Sequence, residues 1–425
     1  MHTLRKGAVA ALTILVAAAG LAGCGRADSS GQAGASAPPV SEGPAQGTLT
    51  VWAMGAEGEA LPGLLEKFQA DNPGVTVNVT AVPWSSAYDK FKAAIAANET
   101  PDVAQVGTTW MGEFVSAGAL DPAPDMIDPS KFYEGAQATT EVDGTSYAVP
   151  WYVETRLVYY RTDLAQQAGI TSPATDWDGL KEMARAMKER GGAEWGISLQ
   201  PGQTGSWQTV LPFMWSNGGE IMNAAGSAFT LDDAKNVEAL AYYQSFFNEG
   251  LANKAPVEGT TEADFVSGKV PMFVSGPWMM AAVEKAGGEG FADKYDVMLM
   301  PEKEKSVSFV GGSNLAVFKA TQNRDAAWKL VDYLTQEDTQ VAWYDLTTDL
   351  PSVKAAWDAD ALKSDDRLAK FGEQLETAVA PPSIATWEQV AAKLDAQIEQ
   401  VTRGGADPAQ ALATAQAEAT SIGMG

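Results

Sequence analysis

Residues 144–163 read G-T-S-Y-A-V-P-W-Y-V-E-T-R-L-V-Y-Y-R-T-D, and the rest of the chain is best interpreted outward from them. β-Branched and aromatic residues follow the turn pair Asp143-Gly144 and precede the helix-start pair Thr162-Asp163, which predicts a long strand. Pro150 has no backbone donor, so strand pairing should be interrupted there. Two aromatic residues and the pair Glu154–Arg156 at the interruption indicate a segment that crosses between two lobes and lines the gap. The alternative is an edge strand with ordinary surface aromatics.

The N-terminus has the pattern of an exported lipoprotein. Arg5 and Lys6 precede an apolar run over residues 8–22, and Leu-Ala-Gly-Cys follows at residues 21–24. This pattern predicts a secretory signal peptide over residues 1–23 and lipidation of Cys24. Cys24 is the only cysteine of the chain, and lipidation would explain why it has no disulfide partner. We expect a protein held at the extracellular face of the cell membrane by this lipid alone.

A low-complexity segment separates the signal from the folded chain. Residues 24–46 are mainly Ser, Gly, Ala and Pro, and they cannot bury enough apolar surface to fold, so we interpret them as a disordered tether. The remaining length is too great for one hydrophobic core and fits two domains. We assign residues 47–153 and 270–315 to an N-terminal lobe, and residues 154–269 and 316–425 to a C-terminal lobe.

The composition excludes several kinds of chemistry. The only histidine is His2, which lies in the predicted signal peptide, and Cys24 carries the only thiol. Catalysis by Ser-His-Asp or Cys-His is therefore excluded, as are zinc sites with His or Cys ligands. A carboxylate-only enzyme, an oxygen-ligand metal site or no catalysis remain, and we predict no cofactor and no bound metal. The net charge of -25 argues against nucleic acid as a partner.

The folded chain opens with alternating strands and helices. Strands are predicted at residues 48–52, 75–79 and 102–106, with apolar residues at helical spacing between them. This order predicts a parallel sheet with right-handed crossovers, on which ligands bind at the carboxyl ends of the strands. Those ends carry residues 53–59, Pro83-Trp84 and residues 107–110.

Further strands return later in the chain. They are predicted at residues 270–274, 295–300 and 315–318, after a helical region and before a helical C-terminus. The chain therefore leaves the first lobe, returns and leaves it again. We predict a two-lobe α/β fold of the periplasmic-binding-protein type, with hinge crossovers and a ligand cleft between the lobes.

Short motifs stand in a fixed order along the body of the chain: Asn72-Pro73-Gly74, Pro101-Asp102-Val103, Thr109-Trp110, Val149-Pro150-Trp151-Tyr152, Gly276-Pro277-Trp278, Gly311-Gly312-Ser313-Asn314, and Pro382 with Trp387. By these motifs the chain resembles the extracellular solute-binding proteins of carbohydrate ABC transporters, the group of maltodextrin-binding protein. Within this group residues 150–156 are most similar to binders of trehalose, sucrose or maltose-like disaccharides. Asp349 departs from the pattern, because relatives often have glycine there in a loop at the cleft edge.

A sugar site needs flat aromatic platforms for the apolar faces of the rings and polar groups around them. With the resemblance, this indicates a set of ligand-binding candidates: Trp84, Trp110, Trp151, Tyr152, Trp215, Trp278 and Trp387 among the aromatics, and Glu57, Thr108, Thr109, Glu154, Arg156, Ser313, Asn314 and Arg367 among the polar residues. The alternatives are core packing for the tryptophans, a hinge clamp for Glu154 with Arg156, and a solvated helix start for Arg367.

The resemblance implies a function in transport. It predicts a lipid-anchored monomer that captures a neutral oligosaccharide, expected to be an α-linked disaccharide, and delivers it without turnover to the permease subunits of an ABC importer. One alternative is an extracellular glycoside hydrolase with Glu57 and Glu154 as its two carboxylates. The other is a lipoprotein lectin that binds sugar without a transporter.

Overall fold

The computed structural model describes residues 37–425, and the predicted signal peptide and Cys24 lie outside this range. Twelve β-strands form within it: β1 Gln46–Met54, β2 Gly74–Val82, β3 Val103–Gly107, β4 Glu141–Val142, β5 Thr145–Ser146, β6 Val149–Thr155, β7 Leu157–Arg161, β8 Met272–Ser275, β9 Tyr295–Met298, β10 Ser308–Val317, β11 Leu350–Pro351 and β12 Ala378–Val379.

The same residues form sixteen α-helices: α1 Gly55–Asp71, α2 Trp84–Ala97, α3 Met111–Ser116, α4 Glu134–Ala138, α5 Thr162–Gln167, α6 Trp177–Glu189, α7 Trp207–Ser216, α8 Ala234–Asn248, α9 Thr261–Val266, α10 Trp278–Gly287, α11 Arg324–Leu334, α12 Glu337–Thr347, α13 Asp360–Lys363, α14 Asp366–Leu375, α15 Trp387–Thr402 and α16 Pro408–Ile422. Short 3-10 helices include Thr108–Trp110, directly after β3. Among the helices of this described range, none is long and apolar enough to cross a membrane.

The first sheet has the order β11-β6-β10-β3-β1-β2, and β12 pairs with β10. Strand β1 is parallel to β2 and to β3, which confirms the predicted parallel start of the fold. Strand β10 enters this sheet antiparallel to β3 and β6. Apolar side chains alternate between its two faces, so one face packs on α1 and α11 and the other on α2 and α3.

The second sheet is smaller and has the order β8-β7-β9, with both neighbours antiparallel to the central strand. Val158 and Tyr160 point from β7 into a core shared with α6, α7, α8, α15 and α16. Leu157 and Tyr159 point to the opposite face, where α9, α10 and α14 pack. A strand covered on both faces explains why the sequence of β7 is continuously apolar and aromatic.

The crossing predicted from residues 144–163 is present. The chain passes from β6 in the first sheet to β7 in the second sheet at Arg156. Pro150 lies inside β6 rather than at its end, and the β6–β10 register shifts opposite it, between Ser313 and Asn314. The missing donor of Pro150 therefore disturbs the pairing without ending the strand.

The lobe boundaries of the sequence analysis were wrong in two places. Strands β8 and β9, which we assigned to the N-terminal lobe, pair with β7 of the second sheet. Helices α11 and α12, assigned to the C-terminal lobe, place Trp328 and Trp343 in the core of the first sheet. Alternating apolar residues identify a strand, but its partner strand depends on distant parts of the chain.

The predicted tether also ends earlier than residue 46. The backbone N–H of Ser41 donates to Asp325 Oδ2 at 3.1 Å, and that of Ala45 donates to Asn72 Oδ1 at 2.7 Å. Ala45 is buried against the first core. Residues 41–45 are therefore part of the folded body. Their hydrogen-bond acceptors, Asp325 and Asn72, lie far along the chain, so the sequence around residues 41–45 does not indicate these contacts.

Candidate functional site

An open cleft of about 400 Å³ lies at the carboxyl ends of the first strands, where parallel sheets expose their binding edge. Its lining comes from strands of the first sheet and from helices and loops of both lobes: Glu57, Trp84, Gly107, Thr108, Thr109, Trp110, Tyr152, Val153, Glu154, Gln208, Pro277, Trp278, Phe309, Gly311, Gly312, Thr347, Thr348, Asp349 and Leu350. The lining includes Glu57, Trp84, Thr108, Thr109, Trp110, Tyr152, Glu154 and Trp278 of the sequence prediction.

The first wall of the cleft follows from the end of β1. Gly55 has φ +53°, and a Cβ there would lie 2.8 Å from the ring of Trp84. Glycine therefore permits both the turn into α1 and the close approach of the indole. The same turn places Glu57 in the first turn of α1, at the edge of the cleft.

Tyr152 is the centre of a hydrogen-bonded chain in this wall. Its hydroxyl donates to Glu57 Oε1 at 2.8 Å and accepts from Ser313 Oγ at 3.1 Å. Gln105 Nε2 donates to Ser313 Oγ at 3.1 Å, and the backbone N–H of Met54 donates to Gln105 Oε1 at 2.6 Å. Burial, together with the nearby Glu57 carboxylate, raises the pKa of Tyr152 well above its usual value, so the phenol stays a neutral donor.

Glu154 and Arg156 lie where the chain leaves β6. Arg156 Nη2 is 3.2 Å from Glu154 Oε1 and donates to Gln208 Oε1 at 3.1 Å. Its guanidinium stacks on Trp278 at 4.6 Å from the ring centroid. Arg156 therefore ties the crossing to α7 and α10 of the second lobe. Burial raises the pKa of the Glu154 carboxyl, and Arg156 counters part of that rise.

Two indoles offer open faces to the cleft. Trp84 is 41% exposed and Trp278 is 44% exposed, unusually high values for tryptophan in a folded chain. The ring of Trp110 meets that of Trp84 edge-on at 6.1 Å and rests on Tyr88, Phe91 and Phe114. Trp84 and Trp110 are thus held from behind, which leaves flat apolar surface facing the cleft.

Three predicted platforms are core residues instead. Trp151 is fully buried and stacks on Trp343 with centroids 4.6 Å apart. Trp387 is fully buried edge-on against Trp207 at 5.1 Å, and Trp215 is buried in the same core. Side chains alternate along a strand, so the step from Tyr152 to Trp151 turns the indole away from the cleft.

Three predicted polar residues also lie behind or away from the cleft. Ser313 Oγ donates a hydrogen bond to the Tyr152 hydroxyl from behind the cleft wall. Asn314 is buried, and its Nδ2 donates to Thr139 Oγ1. Arg367 is paired with Asp365 at 2.9 Å and with Glu284 at 3.1 Å, and its guanidinium covers Tyr295. Arg367 thus lies in the first turn of α14, whose N-cap is Asp365, and its guanidinium is engaged in ion pairs rather than solvated as the alternative expected.

Four lining residues were not among the predicted candidates, Gln208, Phe309, Thr347 and Thr348, and the contacts of Asp349 had been left in doubt. These residues reach the cleft from a helix of the second lobe, from β10, and from the end of α12 with the loop that follows it. Burial and the nearby Glu57 raise the pKa of the Asp349 carboxyl to about 7. The only feature of the sequence that pointed to this loop as part of the cleft was Asp349, at a position where relatives often have glycine.

The side chains of the cleft are suited to binding a ligand rather than to holding a metal ion. Across residues 37–425, no group of three or more Asp, Glu, His or Cys side chains is arranged to hold a metal ion. Glu57 accepts a hydrogen bond from Tyr152, and Glu154 is paired with Arg156, so the two carboxylates of the hydrolase alternative each have a structural partner. Flat rings with polar groups around them suit a ring-shaped polar ligand.

Comparison with known proteins agrees with this geometry. A binding protein of Brucella abortus is 29% identical over 363 residues, which are 84% of this chain and 87% of the relative. The galactooligosaccharide-binding protein of Bacillus subtilis is 26% identical over 92% of this chain and 91% of its own length. The structure of the sugar-binding protein MalE from Xanthomonas citri superimposes with a TM-score of 0.83 at 29% identity, covering 88% of this chain and 97% of that one.

The matching solved structures have the two-lobe fold that the sequence predicted. The family model described as bacterial extracellular solute-binding protein matches residues 53–341, more than half of the chain. That family and the relatives are binding proteins, so the prediction of no enzymatic activity is confirmed. The chain therefore belongs to the bacterial extracellular solute-binding proteins.

Proposed function

We propose that the protein captures an oligosaccharide outside the cell and delivers it to the permease of an ABC importer. The observation that carries this proposal is the cleft itself, in which the open faces of Trp84 and Trp278 stand among carboxyl, hydroxyl and amide groups. A pyranose has apolar C–H faces and a rim of hydroxyls, and it can satisfy both kinds of surface at once. The relatives named for galactooligosaccharide and for sugar binding support the same ligand class.

The ligand that we favour is a neutral α-linked disaccharide. The support for this finer choice is the resemblance of residues 150–156 to disaccharide binders and a cleft of about 400 Å³, a volume that suits a small ligand. Such a sugar gains nothing from the net charge of the protein. Its affinity must come from stacking and desolvated hydrogen bonds, and we expect a micromolar Kd, or about -8 kcal/mol.

Calorimetric titration of the purified protein with maltose, trehalose, sucrose and a long α-glucan polymer tests this function. We expect one free disaccharide to bind tightly, polymers to bind weakly, and chromatography after long incubation to show the sugar intact. Tight binding of polymer would favour the lectin alternative. Cleaved sugar, or no binding by any sugar, would contradict the proposal.

The location of the protein is a further part of the proposal. We propose that Cys24 carries the lipid and that residues up to about 40 act as a tether at the extracellular face of the membrane. Cys24→Ala should abolish lipidation, so the protein is either retained with its signal peptide or shed. Detergent partitioning and the size of the processed chain measure this, and unchanged behaviour of the variant would contradict the anchor.

A further inference from the structure

The lining of the cleft is acidic. Three carboxyl side chains line it, those of Glu57, Glu154 and Asp349, and no basic side chain is among the described residues of its lining. Glu57 is at the start of α1, Glu154 is on β6 and Asp349 follows α12. Three separate elements therefore bring acid groups to one ligand surface.

Two of these carboxyl groups have an oxygen with no protein partner. Glu154 Oε1 faces Arg156, but its Oε2 is buried without a hydrogen bond in the described chain. Asp349 Oδ2 is in the same situation. A buried carboxylate oxygen without a donor costs free energy, and because both residues line the cleft, a ligand that brings donors to them is favoured.

Arg156 cannot balance this charge. Its guanidinium is already engaged by Glu154, by Gln208 and by the face of Trp278. It lies on the second-lobe side of Glu154, and no basic residue faces Asp349 or Glu57 within the described lining. The exposed indole face of Trp84 also attracts cations, through the negative charge of the ring face.

We propose that the cleft binds an oligosaccharide carrying one protonated amine more tightly than the neutral parent sugar, with the ammonium group on the carboxylates of Glu154 and Asp349. An ammonium group supplies three donors and one positive charge, and its hydrogen bonds to carboxylates are stronger than those of a hydroxyl. This inference rests on the proposed sugar function and adds a ligand class to it.

The surroundings of Asp349 give the proposal a pH signature. Glu57 faces it from α1, Glu154 and Tyr152 face it from β6, and the side chains of Thr347 and Trp343 on α12 lie beside it and counter part of the rise in its pKa. Burial and Glu57 raise its pKa to about 7, so it is largely protonated in mildly acidic solution. An ammonium ligand requires the ionised form, and its binding should therefore strengthen as the pH rises from about 5.5 to about 7.

The test uses matched sets of ligands. Maltose, trehalose and lactose are each titrated as the neutral sugar, as the analogue with one hydroxyl replaced by an amine, and as the N-acetylated analogue. At about pH 7 we expect an amine to bind about tenfold more tightly than its neutral parent and its N-acetylated form. If a neutral sugar binds and every amine binds no better, the inference is wrong while the sugar function stands. If no sugar of any kind binds, both fail.

Variants locate the effect. Asp349→Asn and Glu154→Gln should each reduce the ratio of amine to neutral affinity, and Asp349→Asn should remove its dependence on pH. Asp345→Asn is the matched control, since Asp345 is an exposed carboxyl near the end of α12 and outside the cleft. A ratio that stays the same in both cleft variants, or falls equally in the control, would overturn the assignment.

Discussion

The cleft face and the core directly behind it are built from the same strand and from the same residue types, but they have opposite properties. On β6, Tyr152 and Glu154 reach the cleft, while Trp151, directly before Tyr152, points to the other face and stacks on Trp343 in the core of the first sheet. On the second-lobe side, Trp278 is 44% exposed while Trp387 is buried. An aromatic residue near a predicted cleft therefore has one of two roles, and the side of the element decides which.

This difference has an energetic consequence. A buried indole contributes to the free energy of unfolding through the apolar area and the contacts that it loses on unfolding. A half-exposed indole contributes little to folding but offers area to a ligand. Substitutions that separate the two quantities can therefore break or sharpen the comparison.

Trp151→Ala should have the largest effect, on stability. Removing an indole that is fully buried against Trp343 leaves a cavity in the core of the first lobe, and we expect a loss of about 4 kcal/mol in the free energy of unfolding. Denaturant unfolding followed by circular dichroism measures this loss. A stable variant that has lost only sugar binding would show that Trp151 belongs to the site.

Trp278→Ala should show the opposite behaviour. The ring is open to the cleft and stacked by Arg156, so its removal should weaken sugar binding by about 2 kcal/mol or more. The circular dichroism spectrum and the unfolding midpoint should stay close to those of the parent. Trp84→Ala, on the opposite wall of the cleft, should likewise weaken sugar binding and leave the fold unchanged. Unchanged sugar affinity of Trp278→Ala would contradict the site that we describe.

Asp349→Asn tests the charge of the cleft face through stability. Its pKa of about 7 exceeds the usual value for aspartate, so the folded state holds a proton that the unfolded state releases between about pH 4 and pH 7. Stability of the parent should therefore fall as the pH rises through this window. The variant lacks this loss, so relative to the parent it should gain roughly 1.3 kcal/mol for each pH unit between about pH 5 and about pH 7. Parallel stability curves for the two proteins would argue against a buried acid at this position.

Tyr152→Phe should have the smallest effect. It removes one hydroxyl that donates to Glu57 Oε1 at 2.8 Å, and we expect sugar affinity to fall by about 1 kcal/mol with little change in fold. Tyr333→Phe is the control, because its hydroxyl donates to the carbonyl oxygen of Leu64 outside the cleft at 3.1 Å. An equal loss in both variants would mean that the effect comes from general packing.

Several properties were determined by the sequence alone. The alternation of strands and helices over residues 48–106 predicted the parallel start of the first sheet, and residues 144–163 predicted the crossing to a second lobe. The motifs at Trp84, Thr109-Trp110 and Trp278 were correctly placed at the cleft. Local backbone preferences and short-range patterning are enough for such features, because turns, caps and strand ends depend on neighbouring residues.

Only the tertiary structure decided the remaining features. The partners of β8 and β9, the core positions of Trp151, Trp215 and Trp387, and the cleft positions of Gln208 and Asp349 depend on contacts between residues far apart in the chain. A strand of either lobe shows the same apolar alternation, so its sequence does not name its neighbour. The side on which a side chain is covered is set by that neighbour, which is the physical reason why a tryptophan of the core and a tryptophan of the cleft look alike in the sequence.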